Sequence, residues 1–287
     1  MENKEKIGLV MEGGAMRGMF TCGVIDVMME HGITPDGAIG VSAGATFGCN
    51  IKSHQIGRAL RYNVRYARDW RYSSILSFLV TGDIYGAKFD YDVIPNKLDL
   101  WDYDTFASSP MEFYVVATDC DTGRAAYHRC TDSRRHDINW IRASASMPMV
   151  SRPVRIGSRV FLDGGISDSI PLKYFEHKGY RKNIVILTQP QGYFKKPLSG
   201  NYINLLKAGL RKYPAIQTAM TNRHKMYNAE LEYVANAEDK GNALVIRPKE
   251  ALNIPSICHD PYKKVRVYLH GREVALERLE EMKRFMV

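Results

Sequence analysis

Three short stretches of this sequence combine residue types that can make and break an ester bond. Gly40-Val-Ser42-Ala-Gly44 is a GxSxG segment between a short apolar run, Ala38–Val41, and a helical pattern. A serine at such a strand-to-helix turn sits in strained backbone with its hydroxyl exposed, and the flanking glycines permit the close packing this needs. The helix behind it offers a positive N-terminal end to charge that develops on attack. The same residues also read as a tight turn with a capping serine.

Upstream, Gly13-Gly14-Ala15-Met16-Arg17-Gly18 follows the first apolar run and opens the first helical pattern. Consecutive small residues leave backbone N–H groups uncovered around a shared cavity, which an oxyanion hole requires and which can equally cradle a phosphate. The loop is neither GxGxxG nor a P-loop with GKS or GKT, which weakens the nucleotide reading. Arg17 either meets anionic charge or braces the loop. Downstream, Phe161-Leu-Asp163-Gly-Gly165 ends a short apolar run on an acid. A carboxylate held close and dry can take the proton of Ser42 directly; alone, DGG is also a common hairpin turn.

These residues must be positioned by the elements around them. The run Lys6–Met11 reads as a strand, and Met19–His31, with Phe20, Val24, Val27 and Met28 at helical spacing and Gly32 beyond its end, as a helix. Strand and helix then repeat through Ala38–Val41 and the Ser42 turn. Further strands are expected at Glu112–Thr118, Arg124–His128, Arg159–Leu162, Asn183–Thr188 and Ala243–Arg247, and helices at Tyr202–Lys212, Ala215–Ala237 and Tyr262–Phe285. Such alternation predicts an α/β fold with a mostly parallel central sheet and helices on both faces. No linker or internal repeat divides the 287 residues, so one domain over 1–287 is expected.

In this order the three motifs resemble the patatin-like phospholipase family, whose pattern is a glycine-rich loop ending in a basic residue and glycine, a GxSxG serine and a DG(G/A) aspartate. The resemblance implies that Ser42 is the nucleophile, Asp163 its base in a dyad without histidine, Gly40 and Gly44 the flanks of the nucleophile elbow, and Gly13 through Gly18 the oxyanion hole. Arg142-Ala-Ser-Ala-Ser-Met-Pro148 is similar to the family's small-residue segment ahead of the aspartate, and Tyr262–Val287 to its closing helical region. The implied activity is a lipid acyl hydrolase, a phospholipase or esterase, acting on a lipid or ester substrate without a cofactor. Two positions depart from the pattern. Ala15 replaces the third glycine, tolerable if its φ stays negative, and Asp168 stands where many members have asparagine.

Other readings remain beside this one. Four of the eight histidines follow Asp163, leaving the chain order of a His-dependent serine esterase open. A non-catalytic lipid- or anion-binding protein could keep the same loop and Arg17. The net charge of +9 favours anionic partners, and Arg58, Arg61, Arg65 and Arg68 recur at helical spacing beside Tyr62, Tyr66 and Trp70. Such a helix can rest on an anionic membrane surface, or be a solvated basic face with its rings packed inward. No nucleic-acid motif accompanies it, so nucleic acid is not an expected partner. Asp90, Asp92, Asp99, Asp102 and Asp104 lack the spacing of a calcium loop and read as a solvated, turn-rich stretch. His128 with Cys130, and Cys49 with His54, are too isolated to imply a metal site. Five cysteines without a CxxC pair read as buried thiols. Neither a secretory leader nor a spanning helix is recognisable, and a cytoplasmic protein with peripheral membrane contact is expected.

Overall fold

The computed structural model describes residues 5–132 and 135–287, of which Arg135 in backbone only. The chain starts with β1 (Ile7–Met11), α1 (Gly18–Glu30), β2 (Gly37–Val41) and α2 (Ala43–Lys52), the expected strand–turn–helix pair. Next come α3 (Arg58–Arg65), α4 (Ile75–Thr81), a π-helical segment at Phe89–Leu98 and α5 (Tyr103–Ser108). The middle holds β3 (Glu112–Asp119), β4 (Ala125–Cys130), α6 (Arg135–Ser144), β5 (Val154–Ile156), β6 (Arg159–Asp163), α7 (Leu172–His177) and β7 (Lys182–Ile186). Then follow α8 (Gly200–Gly209), α9 (Pro214–Asp239), β8 (Ala243–Ile246), α10 (Pro261–Glu277) and α11 (Leu279–Phe285).

The strands form one mixed sheet in the order β5-β6-β3-β2-β1-β7-β8, with β4 also paired to β3. Its centre is parallel and apolar: β1, β2 and most of β7 are buried throughout, as strands covered on both faces must be. The flank is antiparallel. Gly123 (φ 67) turns the chain between β3 and β4, and Gly157 (φ 61) turns it between β5 and β6, both in left-handed backbone that glycine adopts without penalty.

This flank positions the motifs. β4 pairs with β3 from Phe113 to Thr118, so β2 and β6 share the other edge of β3. There Val41 lies opposite Val116 and Asp163 opposite Ala117. Running in opposite senses, β2 and β6 end head to head, and the residue after β2 is Ser42.

Two apolar clusters cover the sheet's faces, one built around α1, α2 and α10, the other around α7 and α9. α10 lies against α1 where two glycines face each other: a β-carbon on Gly23 would stand 2.1 Å from the Tyr268 carbonyl oxygen, and one on Gly271 2.1 Å from that of Phe20. Only glycine permits so close a helix crossing. The expected helix Tyr262–Phe285 is divided at Arg278, whose N–H groups bond Val245 O and Glu281.

Candidate functional site

Ser42 has φ 54 and ψ −121, a left-handed conformation rare for a residue with a β-carbon. Such backbone costs about 1–3 kcal/mol and persists only where packing over-determines it. The packing is visible at its neighbours. A β-carbon on Gly40 would lie 2.4 Å from Gly44 O, and one on Gly44 2.4 Å from Met11 O. Strand, turn and helix meet backbone to backbone. Ser42 N–H donates to Ser144 Oγ at 2.9 Å, and its carbonyl accepts from the N–H groups of Ala45 and Thr46, both at 3.0 Å.

The Gly13–Gly18 loop wraps this turn. A β-carbon on Gly13 would meet Ser42 Cβ at 2.9 Å, and one on Gly18 would meet Ala43 Cβ at 2.8 Å. Ala15 has φ 48, so the condition of a negative φ is not met: alanine occupies left-handed backbone where glycine would be unstrained. Beneath the loop, Glu12 is fully buried and saturated, accepting from Thr188 N–H (2.6 Å), Thr188 Oγ1 (3.1 Å) and Tyr227 OH (2.5 Å). Arg17 Nε donates to Thr188 Oγ1 at 3.5 Å and has no carboxylate partner among the described residues.

Asp163, at the end of β6, is buried beside Ser42. Its Oδ1 accepts the Gly165 N–H at 2.8 Å; Oδ2 is buried and closes no hydrogen bond of standard geometry. Burial pushes the carboxyl up to about 6, with the Ser42 hydroxyl, the Arg223 guanidinium and the Gly165 N–H partly offsetting that rise. Its backbone is held on both sides, N–H to Ser146 O at 2.9 Å and O to Thr118 Oγ1 at 2.7 Å. The Arg142–Pro148 segment therefore braces both residues, Ser144 holding the Ser42 N–H and Ser146 the Asp163 N–H.

Ser42, Asp163 and Gly13 through Arg17 line one cavity of about 450 Å³; Gly18, Gly40 and Gly44 serve its packing from outside. One wall is apolar and aromatic, with Phe47, Tyr62, Tyr72, Ile94, Trp101 and Ile141. Met16 and Met147 also line it, whereas Met11 and Met19 are core residues. Sequence reasoning missed Lys195 and Arg223, since neither lies in a motif. Lys195 is drawn into the wall by Asn228, which accepts its N–H at 2.9 Å and donates to its carbonyl at 3.0 Å. Arg223, on α9, donates from Nε to Gly165 O beside Asp163. Glu230, also missed, accepts from the N–H groups of Ser169 and Ile170, each at 3.1 Å, and faces Asp168, whose Oδ2 accepts from Tyr127 OH at 2.6 Å. Burial pushes both carboxyls up, and the Asp168 charge adds to the rise at Glu230.

Several sequence expectations change here. Arg58 is only 4% exposed, donating to Asp99 O at 2.7 Å and Asn50 Oδ1 at 3.1 Å, and Arg61 pairs with Asp99 at 3.0 Å. Tyr62 and Tyr66 pack inward, so the arginine stripe is not one basic face. The acidic stretch is helical rather than turn-rich: Asp90 lines the cavity with its carboxyl pushed well up by burial, and Asp102 caps α5. His128 and Cys130 gain a third group, Asp137, their ligand atoms lying within 4.8 Å of one another. Asp137 is already engaged by His128 Nε2 (2.7 Å) and by the N–H groups of Thr131 (2.7 Å) and Asp132 (3.0 Å), which makes it a structural clasp. Among the described residues no histidine lines the cavity, no helix is long and apolar enough to cross a membrane, and all five cysteines are buried thiols.

Comparison with known proteins bears on this geometry. YjjU of Escherichia coli strain K12, an uncharacterized protein, is 33% identical over 201 residues, which are 67% of this chain and 54% of that one. Lysophospholipase NTE1 of Debaryomyces hansenii is 29% identical over 191 residues, 64% of this chain and 12% of that protein. The chain thus spans about half of the first relative and a small part of the second. The crystal structure of VipD from Legionella pneumophila aligns with 97% of this chain and 67% of its own at 12% identity, with a TM-score of 0.46. A model described as a domain of unknown function, DUF6363, matches residues 213–287. The model for patatin-like phospholipases matches residues 9–176, which is more than half the chain and holds Ser42, Asp163 and the Gly13–Gly18 loop, and the protein belongs to the patatin-like phospholipase family.

Proposed function

We propose that the protein hydrolyses carboxylic esters of lipids through an acyl-Ser42 intermediate, with Asp163 as the base and no histidine. The observation that carries this reading is the pairing itself: a serine in strained backbone beside a buried carboxyl with an unengaged oxygen, on the wall of a partly apolar cavity. Asp163 Oδ2 takes the proton from Ser42 Oγ as Oγ bonds the ester carbonyl carbon. N–H groups of the Gly13–Gly14–Ala15 stretch receive the oxyanion, with Arg17 adding positive charge. Collapse breaks the bond to the alcohol, which leaves with the proton from Asp163. Water then attacks the acyl carbon, giving a proton to Asp163, and the serine regains it as the acid departs. Both family membership and the lysophospholipase relatives support this reading, as does the lack of a histidine on the described cavity wall.

The test is turnover of a soluble p-nitrophenyl ester. Ser42→Ala is expected to lose at least 100-fold, and retention of a tenth of wild-type rate overturns the covalent mechanism.

The same reading puts the enzyme at a lipid surface, and the exposed apolar face of α4 supports contact there rather than through the arginine stripe. Ile75, Leu79 and Val80 on this helix are 76%, 75% and 64% exposed. α4 stands on the cavity rim: Ser77 and Thr81 hydroxyls bond Asp83 O, and the next residues, Ile84 and Tyr85, line the cavity. Arg152, held by its N–H to Asp83 Oδ1 at 2.7 Å, lies against Gly82 and adds positive charge at the helix end. An apolar helix with a cation at its end, on the cavity rim, suits a bilayer containing anionic lipid.

A further inference from the structure

Arg17, Lys195 and Arg223 reach the cavity from three separate elements: the turn before α1, the loop after β7, and α9. None forms an ion pair with a carboxylate among the described residues. Of the acids beside them, Glu12 spends both oxygens on Thr188 and Tyr227, and Asp163, next to Arg223, spends one on the Gly165 N–H. Three cations therefore line one half-buried space, none of them in an ion pair among the described residues. Proteins rarely gather like charges away from water unless a ligand completes them. The Lys195 ammonium registers the crowding: burial first, then the Arg223 and Arg17 charges, lower it to about 8 against the opposing pull of Glu12.

The supporting structure is specific. Asn228 clamps the Lys195 backbone in both directions, and the ammonium lies 4.5 Å from the Tyr227 ring centroid. Arg223 is fixed through Nε to Gly165 O, which leaves its remaining N–H groups for another partner. A second opening, lined by Tyr193, Phe194, Lys195, Lys196, Arg223 and His224, adjoins the main cavity through these two cations. The rest of the lining is largely aromatic and apolar, with the Asp90 carboxyl pushed well up by burial and Arg58 paired with Asp99.

We infer that Lys195 and Arg223, with Arg17, form a subsite for a phosphate-bearing anion, holding the headgroup phosphate of an ester whose acyl chain lies along the aromatic wall. This deepens the ester-hydrolase reading and rests on it for orientation, because Ser42, the cations and the aromatic side chains line the same cavity. A phosphate is the anion that fits three converging cations: its several oxygens accept from guanidinium pairs and an ammonium together.

The test separates binding from hydrolysis by using Ser42→Ala protein. A short-chain lysophosphatidylglycerol and the monoacylglycerol of the same chain are titrated by calorimetry below their micelle concentrations. The phosphate-bearing lipid is expected to bind at least ten-fold tighter, and Lys195→Gln to remove most of that difference. Lys225→Gln, the same charge change on an exposed part of α9 outside both cavities, is expected to leave it. Equal affinity for the two lipids, or equal loss in both variants, overturns the subsite. Inorganic phosphate identifies the source of the anion: weak competition assigns the site to a lipid headgroup, and competition as strong as the lysolipid assigns it to free phosphate. In parallel, wild-type protein that binds the lysolipid with this preference but hydrolyses neither ester would retain the subsite and overturn only the hydrolase reading.

Discussion

A carboxyl whose folded-state value is raised from 3.8 to about 6 is ionised at neutral pH at a cost of about 3 kcal/mol. Two outcomes follow for Asp163. As the base it must be unprotonated, so kcat/KM for a neutral ester is expected to rise with pH through about 6 and level off above it. The folded state binds this proton more tightly than the unfolded one, so the group's contribution to stability is present at low pH and lost as pH rises through about 6. Asp163→Asn keeps the Gly165 N–H contact and removes the ionisation cost, so urea unfolding should show it gaining stability over wild type from pH 4 to pH 8. Its turnover should fall at least 100-fold, because an amide cannot take the proton. A stability difference that ignores pH would mean that Asp163 is not raised. Ser42, Asp163 and the glycine loop were legible because each motif keeps its chemistry within a few adjacent residues. Arg223 was not, since it reaches Gly165 across 58 positions of sequence. The Ala15 backbone escaped as well, because residue type limits φ without setting it.

At the scale of elements, the parallel centre was readable from continuous apolar runs, and β4 and β6 were expected as strands, while β5 and the antiparallel pairing of the flank were not. β5 is three residues long, too short for a periodic signal, yet it pairs with β6, whose end carries Asp163. Spacing also left the burial of the arginines unread. It puts Arg58 and Arg61 on one helix, but only the tertiary structure supplies the Asp99 and Leu100 groups that bury Arg58. Conversely, Ile75–Val80 has the composition of a core segment and lies at the surface. If α4 docks on lipid, Ile75→Ser with Leu79→Ser should reduce sedimentation with vesicles containing anionic phosphatidylglycerol at least five-fold. Arg65→Gln with Arg68→Gln should change it less than two-fold, and the reverse order of effects would return the contact to the stripe. The α1–α10 crossing offers a separate check: Gly23→Ala forces a β-carbon to 2.1 Å from Tyr268 O and should cost about 2 kcal/mol or more in urea unfolding.

For the whole molecule, the two regions matched by separate family models meet at one cavity. Residues 9–176 hold Ser42 and Asp163, while residues 213–287 supply Arg223 beside Asp163 and Tyr227 beneath the loop. We propose that they form one cooperative unit, in which case fluorescence and circular dichroism should report a single coincident urea transition. Two separated transitions would divide the domain. The central claim is that Ser42 is a nucleophile activated by this assembly, and intact-protein mass spectrometry after treatment with a fluorophosphonate reads it most directly. One adduct per chain is expected on the wild type, mapped to Ser42 by peptide analysis, with none on a folded Ser42→Ala variant. An unlabelled wild type, or an adduct that persists in Ser42→Ala, would contradict the account.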